Sequence, residues 1–265
     1  YHSVGRPDLV QYAGSLTLPD TENLPGPNNR ITVNNAGIKA WTARTYKATL
    51  EYYFEKVGLV SVAVFQREIE NFFGSTAFIP SADFLQLYGL DRDVYGAYEV
   101  NTQYNLAQTV RMTGVDLNYK QALTFLPEWA RGVQVYANAS ALRATGDDTA
   151  NFNFVPRTVN WGVSLTRPKF NVQLKWNYNS RKRQGLVTGR GIAHGTYNWT
   201  AERLLVDVIG EYRFHRQWSL FANLNNVNDT PSDLEIFGPS TPESAQFRRR
   251  LDFGSLWTIG VKATF

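Results

Sequence analysis

The feature that most constrains this chain is a ten-residue segment, Phe170 to Asn179, in which side-chain character switches at every step. Phe170, Val172, Leu174, Trp176 and Tyr178 alternate with Asn171, Gln173, Lys175, Asn177 and Asn179. A period of two puts the two sets on opposite faces of an extended strand, and no helix sorts residues this way. Arg157 to Thr166 repeats the pattern, with Val159, Trp161, Val163 and Leu165 set against Thr158, Asn160, Gly162, Ser164 and Thr166. The last residues do so again, with Trp257, Ile259, Val261, Ala263 and Phe265 set against Thr258, Gly260, Lys262 and Thr264.

Less regular strands are expected at 41–54, 58–73, 108–123, 131–143, 200–214 and 217–226, nine in all. Several exceed the five or six residues usual in soluble sheets and match the roughly 9–11 that a tilted strand needs to cross a bilayer. The only helical signal is SADFLQLYG at 81–89, one or two turns long.

The links between strands fall into two kinds. Short ones are expected at 55–57, 124–130, 167–169 and 215–216, and long polar ones at 74–107, 144–156, 183–199 and 227–254. The two kinds alternate along the chain. Antiparallel neighbours send successive links to opposite ends, so every short turn lies at one end and every long loop at the other. Outer-membrane barrels have this asymmetry, with short periplasmic turns and long external loops. The expected fold is therefore all-β, an antiparallel transmembrane β-barrel. Residues 1–40 are an external loop region and 41–265 are the C-terminal strands. The odd strand count, and the missing upstream neighbour of 41–54, predict that further strands lie outside this chain.

Composition excludes other classes. No run of 18 apolar residues exists, so no transmembrane helix is encoded; a mean hydropathy of −0.34 is compatible with strands that hide apolar residues at every second position. Tyr, Phe and Trp number 14, 16 and 7, suited to an apolar band meeting water. There is no Cys, which removes thiolate chemistry, and a formal charge of +4 is too small to argue for nucleic acid. The start has no basic segment followed by an apolar stretch, so any export signal lies upstream.

Three stretches resemble the barrel of TonB-dependent receptors: YKATLEYYFEKVGLVSVAVFQREIENFF at 46–73, MTGVDLNYKQALTFLPEWARGVQVYANAS at 112–140 and LFANLNNVNDTP at 220–231. Phe265 is similar to the terminal aromatic read by the barrel-assembly machinery. The resemblance covers about residues 41–265. It implies a barrel of about 22 strands around an N-terminal plug, and uptake of a siderophore, cobalamin or oligosaccharide driven by the TonB complex. It also implies the outer membrane of a Gram-negative bacterium as the location. Neither plug nor TonB-contacting segment is visible in this chain.

Strand parity assigns Asp116, Asn118 and Lys120; Gln173, Lys175 and Asn177; and Asp207, Glu211 and Arg213 to the lumen face. They either touch plug or substrate or pair with one another as a solvated wall. Arg181, Lys182 and Arg183, and Arg248, Arg249 and Arg250, lie in external loops. They suit an anionic ligand or lipopolysaccharide phosphate, or are simply solvated charge. Tyr95, Tyr98, Tyr197 and Trp199 could stack on a ligand or pack within turns. Catalysis finds no constellation. His2, His194 and His215 have no metal spacing, Asp147-Asp148 matches no Ca²⁺ loop, and no nucleophile, phosphate-loop or dinucleotide motif occurs. No cofactor is expected. The rival readings are a passive or structural barrel and a soluble β protein with loops sorted at neither end.

Overall fold

A computed structural model describes residues 1–26, 29–54, 57–146, 153–187, 192–193 and 195–264. The turn residues Glu55 and Lys56, the pair Asp147-Asp148, His194 and Phe265 lie outside the described residues, so nothing is said of their structure.

The first strands in chain order are β1 (His2–Gly5), β2 (Leu16–Thr17), β3 (Ile31–Val33), β4 (Trp41–Phe54), β5 (Gly58–Glu70) and β6 (Phe73–Phe78). Next come β7 (Val100–Asn105), β8 (Val110–Ala122), β9 (Val133–Thr145), β10 (Arg157–Thr166), β11 (Phe170–Asn179) and β12 (Lys182–Leu186). The chain continues with β13 (Tyr197–Thr200), β14 (Arg203–Arg213), β15 (Trp218–Asn225), β16 (Ser232–Phe237), β17 (Phe247–Leu251) and β18 (Leu256–Ala263). Short helices α1 (Leu9–Tyr12), α2 (Ala82–Leu87) and α3 (Arg92–Tyr95) interrupt them.

Ten strands form one sheet in the order β1-β4-β5-β8-β9-β10-β11-β14-β15-β18, every neighbour antiparallel. Nine of them are the strands expected from alternation. The register keeps like with like. Val163, Leu174, Val208, Leu224 and Trp257 stand opposite one another across five strands. One residue away, on the other face, run Ser164, Gln173, Ile209, Asn223 and Thr258.

Among the described residues no second layer lies over the apolar face. Leu50 is 74% exposed, Ile259 65% and Trp257 67%. Trp161 and Trp176 stack across β10 and β11 on the same face, ring centres 5.9 Å apart. The eight steps from Phe170 to Tyr178 cover about 26 Å of strand at about 3.3 Å each. A tilt of about 40° reduces this to about 20 Å of height, close to the apolar band of a membrane barrel.

Across the sheet, aromatic rings lie over glycines on the neighbouring strand. Trp41 covers Gly5, Phe65 covers Gly114, Tyr136 covers Gly162 and Phe221 covers Gly260. A Cβ on Gly114 would stand 2.5 Å from Phe65 and 2.7 Å from Leu142. These rings lie flat on the lumen face, filling the space that glycine leaves.

Two expectations are corrected. Residues 1–40 are not loop throughout, because His2–Gly5 pairs with Thr42, Ala43, Arg44 and Trp41 as a tenth strand of the sheet. Four residues are too few to register as alternation. β4 therefore has a neighbour on both sides, and the edges of the sheet among the described residues are β1 and β18. The long links, expected as long and polar, hold sheets of their own. β2, β3, β7 and β6 make one four-stranded sheet, and β12, β13, β16 and β17 make another. The strand expected at 58–73 divides at Asn71, whose φ of 56° is a left-handed conformation that Asn tolerates. The helical signal at 81–89 is α2, capped by the Ser81 side chain, which accepts from the Phe84 N–H.

Buried apolar side chains gather in the first of these loop sheets and at the adjoining ends of wall strands β4, β5 and β8. Ile31, Val33, Leu85, Tyr98 and Val100 form one cluster, and Ala43, Ile69, Leu106 and Val110 form another beneath it.

Candidate functional site

The second loop sheet continues from the ends of β11 and β14, with β12 starting three residues after β11 and β13 ending three residues before β14. Continuing the inward positions of β11 past Asn179 leads to Arg181 and Arg183. Continuing those of β14 back from Arg203 leads to Trp199 and Tyr197. The structure brings these four together with residues of β16. The Arg181 guanidinium lies 4.8 Å from the Trp199 ring centre and 5.3 Å from that of Phe237, and pairs with Glu235 at 2.7 Å. Arg183 lies 4.9 Å from the Tyr197 ring centre. Cation and ring quadrupole attract in this geometry, so the stack holds two positive charges on a flat aromatic floor.

A cleft of about 250 Å³ opens beside it, lined by Leu142, Arg143, Ala144, Phe154, Pro156, Arg183 and Trp199. Trp199 Nε1 is buried and has no hydrogen-bond partner among the described residues. A guanidinium beside an aromatic wall can receive a flat group that carries acceptor oxygens.

Of the basic and aromatic residues expected to suit a ligand, Arg181, Arg183, Tyr197 and Trp199 share this site. Tyr98 does not; it is buried in the first loop sheet and donates to the Asn23 carbonyl at 2.8 Å. Tyr95 packs on it with ring centres 6.4 Å apart. Arg248 donates to Asn198 Oδ1, and Arg249 stands opposite Leu234. Arg250 forks onto Asp233 at 2.8 and 2.7 Å. Those two hydrogen bonds hold the Asp233 carboxyl below its ordinary value, opposed by burial and helped by the Arg250 charge. Arg181 belongs to the basic cluster that the sequence shows as suited to an anionic ligand; Phe237 and Phe154 were not named. Strand parity carried through 179 puts Arg181 and Arg183 on one face; nothing local marks Phe237 or Phe154.

The lumen-face residues pair with their neighbours. Asp116 accepts from Ser140 Oγ at 2.7 Å and Asn118 donates to Ser61 Oγ at 3.1 Å. Lys120 stands opposite Tyr136 and Lys175 opposite Asp207. Asp207 accepts from Asn177 Nδ2 at 3.1 Å and from the Asn226 N–H at 2.9 Å. Asn226 has a φ of 55°, and its side chain bonds the Thr230 and Gly254 carbonyls. This ties the 226–255 loop to the wall. Glu211 faces Lys262 at 3.9 Å, and Arg213 lines a small cleft with Arg167 and Lys169. Among the described residues no three His, Cys, Asp or Glu side chains converge as metal ligands.

Known proteins share this architecture. A family model described as "TonB dependent receptor-like, beta-barrel" matches residues 1–227. A mutant of the ferric enterobactin receptor PfeA from Pseudomonas aeruginosa superposes with a TM-score of 0.67 at 14% identity, over 100% of this chain and 37% of that one. The copper transporter OprC gives 0.62 at 14%, over 100% and 36%. The siderophore receptor PirA from Pseudomonas aeruginosa gives 0.62 at 12%, over 100% and 38%. At these identities the likeness is one of fold, and this chain spans little more than a third of each of those proteins. No curated protein sequence matches the chain.

Proposed function

Because the chain belongs to the TonB-dependent receptor β-barrel family, which resides in the outer membrane of Gram-negative bacteria, we propose that it forms wall, lumen lining and outer mouth of a transporter. The transporter takes up a scarce ligand with energy delivered by the TonB complex and transforms nothing chemically. A siderophore, cobalamin or an oligosaccharide is the ligand class. The observation that supports capture at this end is the stack of Arg181 and Arg183 on Trp199, Phe237 and Tyr197 beside an open cleft. An anionic ligand with flat faces finds both charge and stacking surface there.

Residues 6–40 and the other long connections are the external loops of this reading, whose basic groups also meet lipopolysaccharide. An N-terminal plug fills the lumen, and the last strand with Phe265 engages the barrel-assembly machinery.

The test is uptake by cells that produce the full-length protein and lack other receptors, against a panel of metallated siderophores, cobalamin and oligosaccharides. Uptake of at least one should vanish on deletion of TonB. It should fall about tenfold or more in Arg183→Gln and Trp199→Ala together, as expected for one charged hydrogen bond and one stacking contact. Flux that ignores TonB would replace this reading with a passive channel.

A further inference from the structure

The first loop sheet has a cleft of its own, about 420 Å³ in volume. Val33 and Thr102, opposite each other on β3 and β7, form part of its lining. Phe78 enters from the end of β6, Phe84 from α2, and Tyr88 from the residue after α2. Phe84 and Tyr88 are four apart and share a helix face, with ring centres 4.8 Å apart. Phe78 meets Phe84 edge-on at 5.8 Å. Phe84 also packs against the buried cluster of this sheet, which fixes the group of rings. Phe78 and Tyr88 remain 39% and 38% exposed.

The turn 34–37 completes the lining and is held in place. Asn35 donates to the Gln103 carbonyl at 3.0 Å and accepts from the Gly37 N–H at 2.9 Å. Asn34 gives its amide hydrogens to the Val10 carbonyl at 2.9 Å and Ser15 Oγ at 2.6 Å, so its Oδ1 is left as an acceptor. Among the described residues no Lys, Arg, Asp or Glu lines this cleft. Thr32 and Asn101, one position earlier on the same strands, line a different cleft that holds Asp20 and Arg30.

Ring faces with a few amides and a hydroxyl, and no charge, suit a neutral ligand that is apolar on one side and polar at its edge. A hexose ring has that form. Its C–H face lies against the negative face of an aromatic ring, and its hydroxyls reach amide and hydroxyl groups around the rim. We infer that this cleft binds a sugar ring of a neutral glycan. The site is separate from the Arg181 stack, and the inference holds whatever ligand is transported and whether or not TonB drives it. A free oligosaccharide and the outer polysaccharide of a surface glycolipid present the same ring chemistry.

The experiment uses the full-length protein in a detergent without a sugar headgroup. Neutral trisaccharides of glucose, galactose and mannose are offered, and saturation-transfer NMR reads binding. At least one should bind, with transfer strongest at the C–H protons of its apolar face. Tyr88→Ala should weaken binding about tenfold, as expected for a lost ring contact. Ala36→Trp, which fills the exposed turn and removes no ring, should abolish binding. Unchanged hydrogen exchange over 81–88 and 100–105 in that variant certifies that the loop sheet is intact. A parallel sample offers lipopolysaccharide with and without its outer polysaccharide, and native mass spectrometry reads retention. Retention of the long form alone, lost in Ala36→Trp, assigns the glycolipid as source; binding of a trisaccharide assigns the free glycan. Binding of neither overturns the inference. So does binding that survives both variants, a preference for uronic acid oligomers over neutral ones, or a loss that Arg183→Gln with Trp199→Ala reproduces, since that would move the sugar to the Arg181 stack.

Discussion

Gly114 has no room for a methyl group, because Phe65 and Leu142 already occupy the place of its Cβ. Gly114→Ala must push a ring off its seat, and overpacking of this kind costs about 1–3 kcal/mol. Urea unfolding of the full-length protein in lipid vesicles should show that loss, while Gly185→Ala, with nothing near its Cβ, should cost far less. Asp233 supports a pH prediction. Its carboxyl is held below the ordinary value of 3.8 by Arg250. A depressed carboxyl adds stability above its unfolded value and loses it as pH falls through the folded one. The pairing of β16 with β17 should therefore be constant at neutral pH and loosen below about pH 4. Hydrogen exchange over residues 232–251 reads this, and Asp233→Asn should flatten the profile. A profile that keeps its acid step in that variant would place the responsible carboxyl elsewhere.

At the scale of the element, period two was the legible signal, and it was legible because one face meets apolar surroundings while the other stays polar. β10 and β11 were read residue for residue, and all nine long wall strands stood near their expected positions. β1 was not legible, since four residues cannot show a period. The loop strands were hidden for another reason. They are two to six residues long, two of their pairings contain bulges, and β3 pairs in parallel with β7 across a distant stretch of chain. Their order is set by tertiary partners and not by local pattern. The same limit applies to the candidate ligand site. Arg183, Tyr197 and Trp199 were found by residue type, but Phe154 and Phe237 reach the site from loops whose course the sequence does not announce. Tyr98 was misplaced because a Tyr in a polar loop looks exposed until the loop acquires a core of its own. Alternation also yields a paired prediction. Leu174→Arg, on the apolar face near mid-height, should destabilise the full-length protein in bilayers by about 2–4 kcal/mol. Gln173→Arg, one residue away on the polar face, should change stability by a small fraction of that. Equal costs at the two positions would mean that the faces are not different solvents.

For the whole molecule, the ten-stranded sheet is a single layer among the described residues, and its buried clusters lie in a loop sheet and at the ends of β4, β5 and β8. A soluble sheet of this size would cover its apolar face with a second layer. Here that face, running from Leu50 on β4 to Ile259 on β18, is left open, and hydrocarbon is the one solvent that suits it. The most direct measurement places nitroxide labels one at a time at 172–177 and 256–261 of the full-length protein in bilayers. Collision with lipid-soluble oxygen is then compared with collision with a water-soluble nickel chelate. Oxygen should dominate at 172, 174, 176, 257, 259 and 261 and the chelate at the positions between, a period of two on both strands. Uniform accessibility along either strand, or labels at 174 and 259 that meet neither reagent because protein covers them, would contradict the account.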